Sequence, residues 1–466
     1  MFHFKTDYSM TLRHISIKNT CGGLIFLAAV SGMASCEKFI DISTPPNAIG
    51  SDNAYVDSAS ASAVISGIYS GLSSGSRSVF FNSIKYGAMS ADEGYYVSTT
   101  SFDNFKNNTL AAGNELAEMY LNIYTRIGRT NYAIEGLTAT TALSASLRNQ
   151  LLGEAKFLRA WCYFQMTNFF GKMPLVTNTN AIANSQLPRA EVADVYKQMV
   201  TDLTEAKELM RSTYPSAGRS RANRYVAAAL LAKVYLYQGN WEASEAAASE
   251  VIGNVDYSLV NDLSQVFLNN SSETIWHISL LGLPNQAAIQ ASEFVPASTP
   301  TFVLYDTLAN TFEANDQRKV FWTQPITWQG KEYRYPYKYK VRQTIAGTEY
   351  PIVFRLAEMY LIRAEARANQ NKTEDGVKDI NEVRGRAQIG LLPLNTGKEA
   401  LLAALEHEHW VELFTESDRW FNLKRLNKAT EVLSLIKPQW QSFQQLYPIP
   451  LQERNANPVL DDNPDY

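Results

Sequence analysis

Two stretches of the chain share one layout: an apolar-striped helix, a polar turn, and a second helix. In 224–238 the residues Ala227, Leu230, Leu231, Val234 and Tyr237 recur at three- and four-residue steps. The turn Gly239-Asn240 follows, and then the alanine- and glutamate-rich run 241–252. Leu231, Ala232, Tyr235, Gly239 and Trp241 have the spacing of the first helix and turn of a tetratricopeptide repeat, where small residues let paired helices approach closely. The closing proline of that repeat is missing. The spacing predicts a second pair over 354–368 and 374–387, with its turn at 369–373. A helix pair of this kind cannot bury its apolar face alone, so the pattern demands stacked hairpins around a shared core.

Upstream, Leu151, Ala155, Leu158, Cys162, Met166 and Phe169 form one apolar stripe that Gly171 and Pro174 close. Cys162 lies within it and reads as a buried small hydrophobe rather than a reactive thiol. Between the two pairs, 253–350 lose helical periodicity. Thr274–Leu280 is strand-like, and Pro284, Pro296 and Pro300 punctuate loops. Tyr333, Tyr335, Tyr337 and Tyr339 alternate with Arg334, Lys338 and Lys340, which predicts tyrosines on one face and basic side chains on the other. Pro336 confines that strand to an edge or a bulge. The stretch 80–105 reads as a similar irregular, aromatic segment.

The N-terminus is an address. A basic region (Arg13, His14, Lys18) precedes the apolar run 22–30, which is too short to span a bilayer and of signal-peptide length. Met1–Ser9 adds nothing a signal needs, so Met10 is an alternative start. Ala34-Ser35-Cys36 resembles a lipobox, with Met33 where Leu is usual. This makes 1–35 a lipoprotein signal and Cys36 an acylated N-terminus that holds the protein on a membrane. An ordinary signal peptide followed by an incidental cysteine is the alternative. Residues 36–52, with Pro45-Pro46, read as a tether, and 53–466 as one domain.

The chain carries 42 basic and 46 acidic residues, a net charge of −4. Without a basic excess, nucleic acid is excluded as the main partner. The three cysteines make no disulfide framework. No nucleophile elbow, phosphate loop, dinucleotide fingerprint or Cys-x-x-Cys pair occurs, so no catalytic residue and no cofactor is expected. His407 and His409 are two apart on a helix and point about 200° apart, so they do not share a metal ion.

Aromatic surface remains, at 12% of residues with 25 Tyr and 8 Trp. Tyr95, Tyr96 and Phe102 lie among Asp92, Glu93, Ser98, Asp103 and Asn104, and Trp322 and Trp328 flank the Gln329-Gly330 turn. Flat rings beside amides and carboxylates suit a sugar, which offers an apolar C–H face and a polar rim. Tyr95, Tyr96, Phe102, Trp322 and Trp328 are therefore candidate stacking residues, and Asp92 and Asn104 candidate hydroxyl partners. The tyrosine ladder reads as structural.

Several segments together resemble the SusD/RagB outer-membrane lipoproteins of Bacteroidota. Glu154 through Phe164, ending Phe170-Gly171-Lys172-Met173-Pro174, is similar to that family's central helix and its exit. Arg355 through Ala366, then Asp379, Asn381, Arg384 and Arg386, resembles its second repeat pair. Glu408-His409 to Glu412, Glu416 and Arg419-Trp420-Phe421-Asn422 resembles its C-terminal signature, with His409 where Arg is usual and Ser417 in place of Gly. The ending Tyr447-Pro448 to Tyr466 matches as well. The resemblance implies a mostly α superhelix of four tetratricopeptide-like pairs with irregular loop and hairpin insertions. It also implies a surface lid on a SusC-like TonB-dependent transporter that captures an oligosaccharide and passes it into the barrel, with ligand contacts from loops. The same rings serve a peptide or another nutrient, which is the second reading. A helical scaffold that binds only proteins is the third.

Overall fold

Residues 53–73, 78–281, 283 and 285–466 are described in a computed structural model. The signal, Cys36, the tether and Pro284 lie outside the described residues. Among the described residues no helix is long and apolar enough to cross a membrane.

A row of long helices forms the frame. Asn114–Ala139, Ala145–Phe170, Val192–Leu209, Arg224–Tyr237, Trp241–Ile252, Leu356–Asn369, Thr373–Arg386 and Lys398–Leu413 pack in this order, each against the next. Trp241–Ile252 lies directly against Leu356–Asn369 although about a hundred residues separate them, so the intervening stretch leaves the stack and returns without interrupting it. Local chemistry fixes the ends. Asn223 accepts from the backbone N–H of Tyr225 and Val226, Asn240 accepts from Ala243, and the Ala145–Phe170 helix stops at Gly171. Ser244 Oγ donates to the Ala232 carbonyl at 2.9 Å, which holds the first hairpin closed where small residues meet. Cys162 is wholly buried in the central helix, and burial pushes its thiol up to about 12.

Two expected boundaries move. Phe354 lies not in a helix but in strand Ile352–Arg355, which pairs antiparallel with Thr274–His277, and the helix begins at Leu356. The stretch 80–105 is not irregular throughout. Val79–Ser90 is a helix buried on every side, followed by the short strand Gly94–Tyr96.

The non-helical stretch builds two-stranded pieces. Gly94–Tyr96 pairs with Phe302–Leu304, and Thr323–Trp328 with Lys331–Pro336. Around Trp322, Phe267, Leu308 and Tyr339 it has a small core shared with Val411 and Phe414 of the frame. Charge joins the two parts. Arg318, Lys338, Arg355, Arg384 and Arg386 meet Glu273, Asp316, Glu408, Glu412 and Glu416, nearly all inaccessible to solvent. Arg318 reaches Asp316 at 2.8 Å and Glu412 at 2.9 Å, and Arg355 reaches Glu273 at 2.9 Å and Glu416 at 2.7 Å. The Glu412 carboxyl is held well below its usual range: burial opposes ionisation, and Arg386, Arg355 and Arg318 outweigh it. Glu408, Glu412 and Glu416 of the C-terminal signature are thus structural.

Candidate functional site

Strand Gly94–Tyr96 sets Tyr95 and Tyr96 on opposite faces. Gly94 is required at its start, because a Cβ there would lie 2.4 Å from the Phe302 ring and 2.6 Å from the Val303 carbonyl. Tyr96 points inward: its hydroxyl donates to Glu293 at 3.0 Å and its ring packs on Phe102 and Phe302, leaving it 8% exposed. Tyr95 is half-buried, its ring 4.9 Å from that of Tyr305, with the Lys106 ammonium 4.2 Å from its centroid. Burial raises the Tyr95 phenol above its ordinary value, with Tyr333 and Asp306 adding to it, so it is held as an O–H donor.

The hairpin Thr323–Pro336 supplies the opposite wall. Its two-residue loop has positive φ at both Gln329 (49°) and Gly330 (78°), as a tight right-twisted hairpin needs. The register pairs Trp328 with Lys331 and Ile326 with Tyr333, so Trp328 and Tyr333 stand diagonally on one face. That face and Tyr95 enclose an open depression of about 640 Å³ with a polar rim of Ser98, Thr99, Thr100, Asp103 and Lys106. Asp103 and Lys106 lie three apart on the short helix Asp103–Lys106, which brings both to the rim.

Of the residues singled out from sequence, Tyr95, Tyr96 and Trp328 line this depression. Trp322 does not. It is fully buried six residues before Trp328, at the base of the hairpin, and its Nε1 donates to the Leu263 carbonyl at 2.9 Å. Lys338, Arg355 and Arg386 lie 5.0, 5.6 and 5.7 Å from the ring, so it floors the charge network and has no face for a ligand. Asp92 is also unavailable, being buried and held by Arg419 through two bonds of 2.8 and 2.9 Å. Phe102 packs behind Tyr96 under the Lys85 ammonium, and Asn104 Oδ1 accepts from the Phe105 N–H, so neither lines the depression. Tyr333 and Lys106 do, and they were missed; Asp103, noted only as a polar neighbour of the rings, does too. The signal for Tyr333 was the tyrosine ladder, whose alternation ends at Pro336. Beyond it Lys338 turns inward to Glu416 at 2.5 Å and to the carbonyls of Glu412 and Phe414, instead of facing solvent with Arg334.

The fold and this depression define a class: a mostly α-helical repeat protein with an aromatic site built on its loops. The family follows from comparison with known proteins. A model of the SusD family matches residues 305–466, and a model described as "Starch-binding associating with outer membrane", of the SusD-like group, matches residues 38–236. The chain belongs to the SusD/RagB family. It is 25% identical over 411 residues to SusD-like protein P25 of Formosa agariphila, covering 74% of this chain and 78% of that relative. Among solved structures it is similar to a SusD superfamily protein from Bacteroides vulgatus (TM-score 0.77, 20% identity, 88% of this chain and 100% of that one). It is likewise similar to a laminarin-binding SusD-like protein (TM-score 0.75, 22% identity, 88% of this chain and 99% of that one).

Proposed function

We propose that this protein is a glycan-binding lipoprotein, anchored through Cys36 to the outer membrane and facing the exterior. In this reading it serves as the lid of a SusC-like TonB-dependent transporter in nutrient uptake. One observation carries the binding: Tyr95, Trp328 and Tyr333, from two distant stretches of chain, converge on one depression with hydroxyl, carboxylate and ammonium groups at its rim. Rings give a sugar's C–H face its contact and the rim answers its hydroxyls. The similar laminarin-binding protein and the wording of the N-terminal family model support a glycan as the ligand class. The task is capture, not turnover. The helical frame holds the short strand and the hairpin in place before the ligand arrives, which lowers the ordering cost of binding.

Titrating the purified protein against laminarin and a panel of plant, host and bacterial glycans tests this. At least one glycan binds, and Tyr333→Ala weakens it by about tenfold, the equivalent of 1.4 kcal/mol. Binding that ignores this substitution contradicts the site. Co-purification of a large outer-membrane barrel with the lipidated protein tests the lid role.

A further inference from the structure

Residues 91–107 carry most of the depression's lining, with Tyr95 on the outgoing strand and Asp103 and Lys106 on the short helix that returns. Pairing with Phe302–Leu304 fixes residues 94–96 and reaches no further. The returning helix is held elsewhere. Its Phe105 ring is fully buried and stacked on Tyr86, with centroids 4.1 Å apart, and Asn108 then turns the chain with a φ of +56°.

One atom ties both ends of this excursion together. Lys437 is 2% exposed, and its Nζ donates to the Met89 carbonyl at 2.8 Å, the Ser90 carbonyl at 2.6 Å and Asn108 Oδ1 at 2.5 Å. Met89 and Ser90 end the helix from which the excursion departs, so their carbonyls have no partner within that helix. Asn108, itself buried, is where the chain re-enters the core. Three acceptors match the three N–H of an ammonium, and the C-terminal end of a helix favours a cation, whereas burial pulls the pKa down. Burying an amine is costly. What it obtains here is a bond to each end of the excursion at once.

On the reading that the depression holds the ligand, we propose that Lys437 is a positioning residue for binding. It clamps the two ends of 91–107 and so sets Asp103 and Lys106 against Tyr95, without touching the ligand itself. The clamp is made before the ligand arrives, which spares the loop the cost of being ordered on binding.

Hydrogen exchange followed by mass spectrometry is combined with titration of laminarin, or of the panel glycan that the native protein binds. Lys437→Met keeps the side-chain length and removes the donors. Amides in 94–107 then exchange about tenfold faster while those of Ala145–Phe170 keep their native rates, and glycan affinity falls by about fivefold. Asn108→Gly suits the left-handed φ and removes only the acceptor; it gives the same two changes, and it decides if Lys437→Met does not fold. Asn108→Asp keeps an acceptor on Nζ and retains native exchange and affinity. Native exchange in 94–107, faster exchange spread equally over the frame, or full affinity in the folded variants overturns the proposal. If the native protein binds no glycan of the panel, the ligand reading fails, and the exchange result alone decides the clamp.

Discussion

The charge network and the loop depression both mix aromatic rings with charged side chains, yet they are built on opposite terms. In the network, Trp322 is sealed beneath Lys338, Arg355 and Arg386, and carboxylates and cations satisfy one another away from water. In the depression, Tyr95, Trp328 and Tyr333 are half-buried and their polar neighbours face solvent. Residue type does not separate a structural cluster from a binding surface. What separates them is whether the polar groups already have protein partners.

Removing one cation from each region breaks the comparison most sharply. Arg318→Ala leaves Asp316, Glu408 and Glu412 facing one another in the interior and costs roughly 3–5 kcal/mol, read as a large fall in the denaturation midpoint. Lys106→Ala at the rim costs less than about 1 kcal/mol. Similar losses from both would erase the distinction.

Glu93 sharpens it within a few residues of the site. Its carboxyl is fully buried and pushed up to about 8 by burial, with the Thr415 N–H opposing. Between the ordinary carboxylate range and pH 8 the unfolded state releases this proton while the folded state keeps it. The folded form therefore loses stability as pH rises through that window, and the loss levels off above pH 8. At about 1.4 kcal/mol per unit, a rise from the usual 4.5 to about 8 makes the effect on the order of 5 kcal/mol at most. Glu93→Gln flattens the slope of stability against pH between 5 and 8; an unchanged slope would show that Glu93 is not the group responsible.

The smallest effect concerns Ser417, where the family resemblance has Gly. Its φ is +64° and its hydroxyl is buried without a partner. Ser417→Gly relieves both and raises stability by about 1 kcal/mol in chemical denaturation. A loss would mean that the serine is preferred there.

The repeat hairpins were legible because each buries one face and leaves the other in water, so their period shows in sequence. Arg224–Tyr237 and Trp241–Ile252 come out within a residue of expectation. Val79–Ser90 was not legible for the same reason reversed: it is buried all round, with Asn82, Ser83 and Lys85 inside, and no stripe survives. Trp322 and Trp328 looked alike beside a turn, but only the register of the hairpin shows that one sits at its base and the other at its tip. Asp92 and Arg419 are distant in sequence, and nothing local to Asp92 announces that its carboxylate is taken. Tyr95 and Trp328 were legible as loop aromatics, while their convergence on one depression depends on long-range packing of the hairpin against strand Phe302–Leu304.

The claim that the ligand is held by loop aromatics on a frame that does not itself change rests on one measurement. A glycan found by screening is titrated against the native protein and Trp328→Ala, with the thermal midpoint of each recorded. The expected result is at least a tenfold loss of affinity, about 1.4 kcal/mol, with the midpoint essentially unmoved. Full affinity in Trp328→Ala, or a loss that tracks a fall in stability, would contradict it.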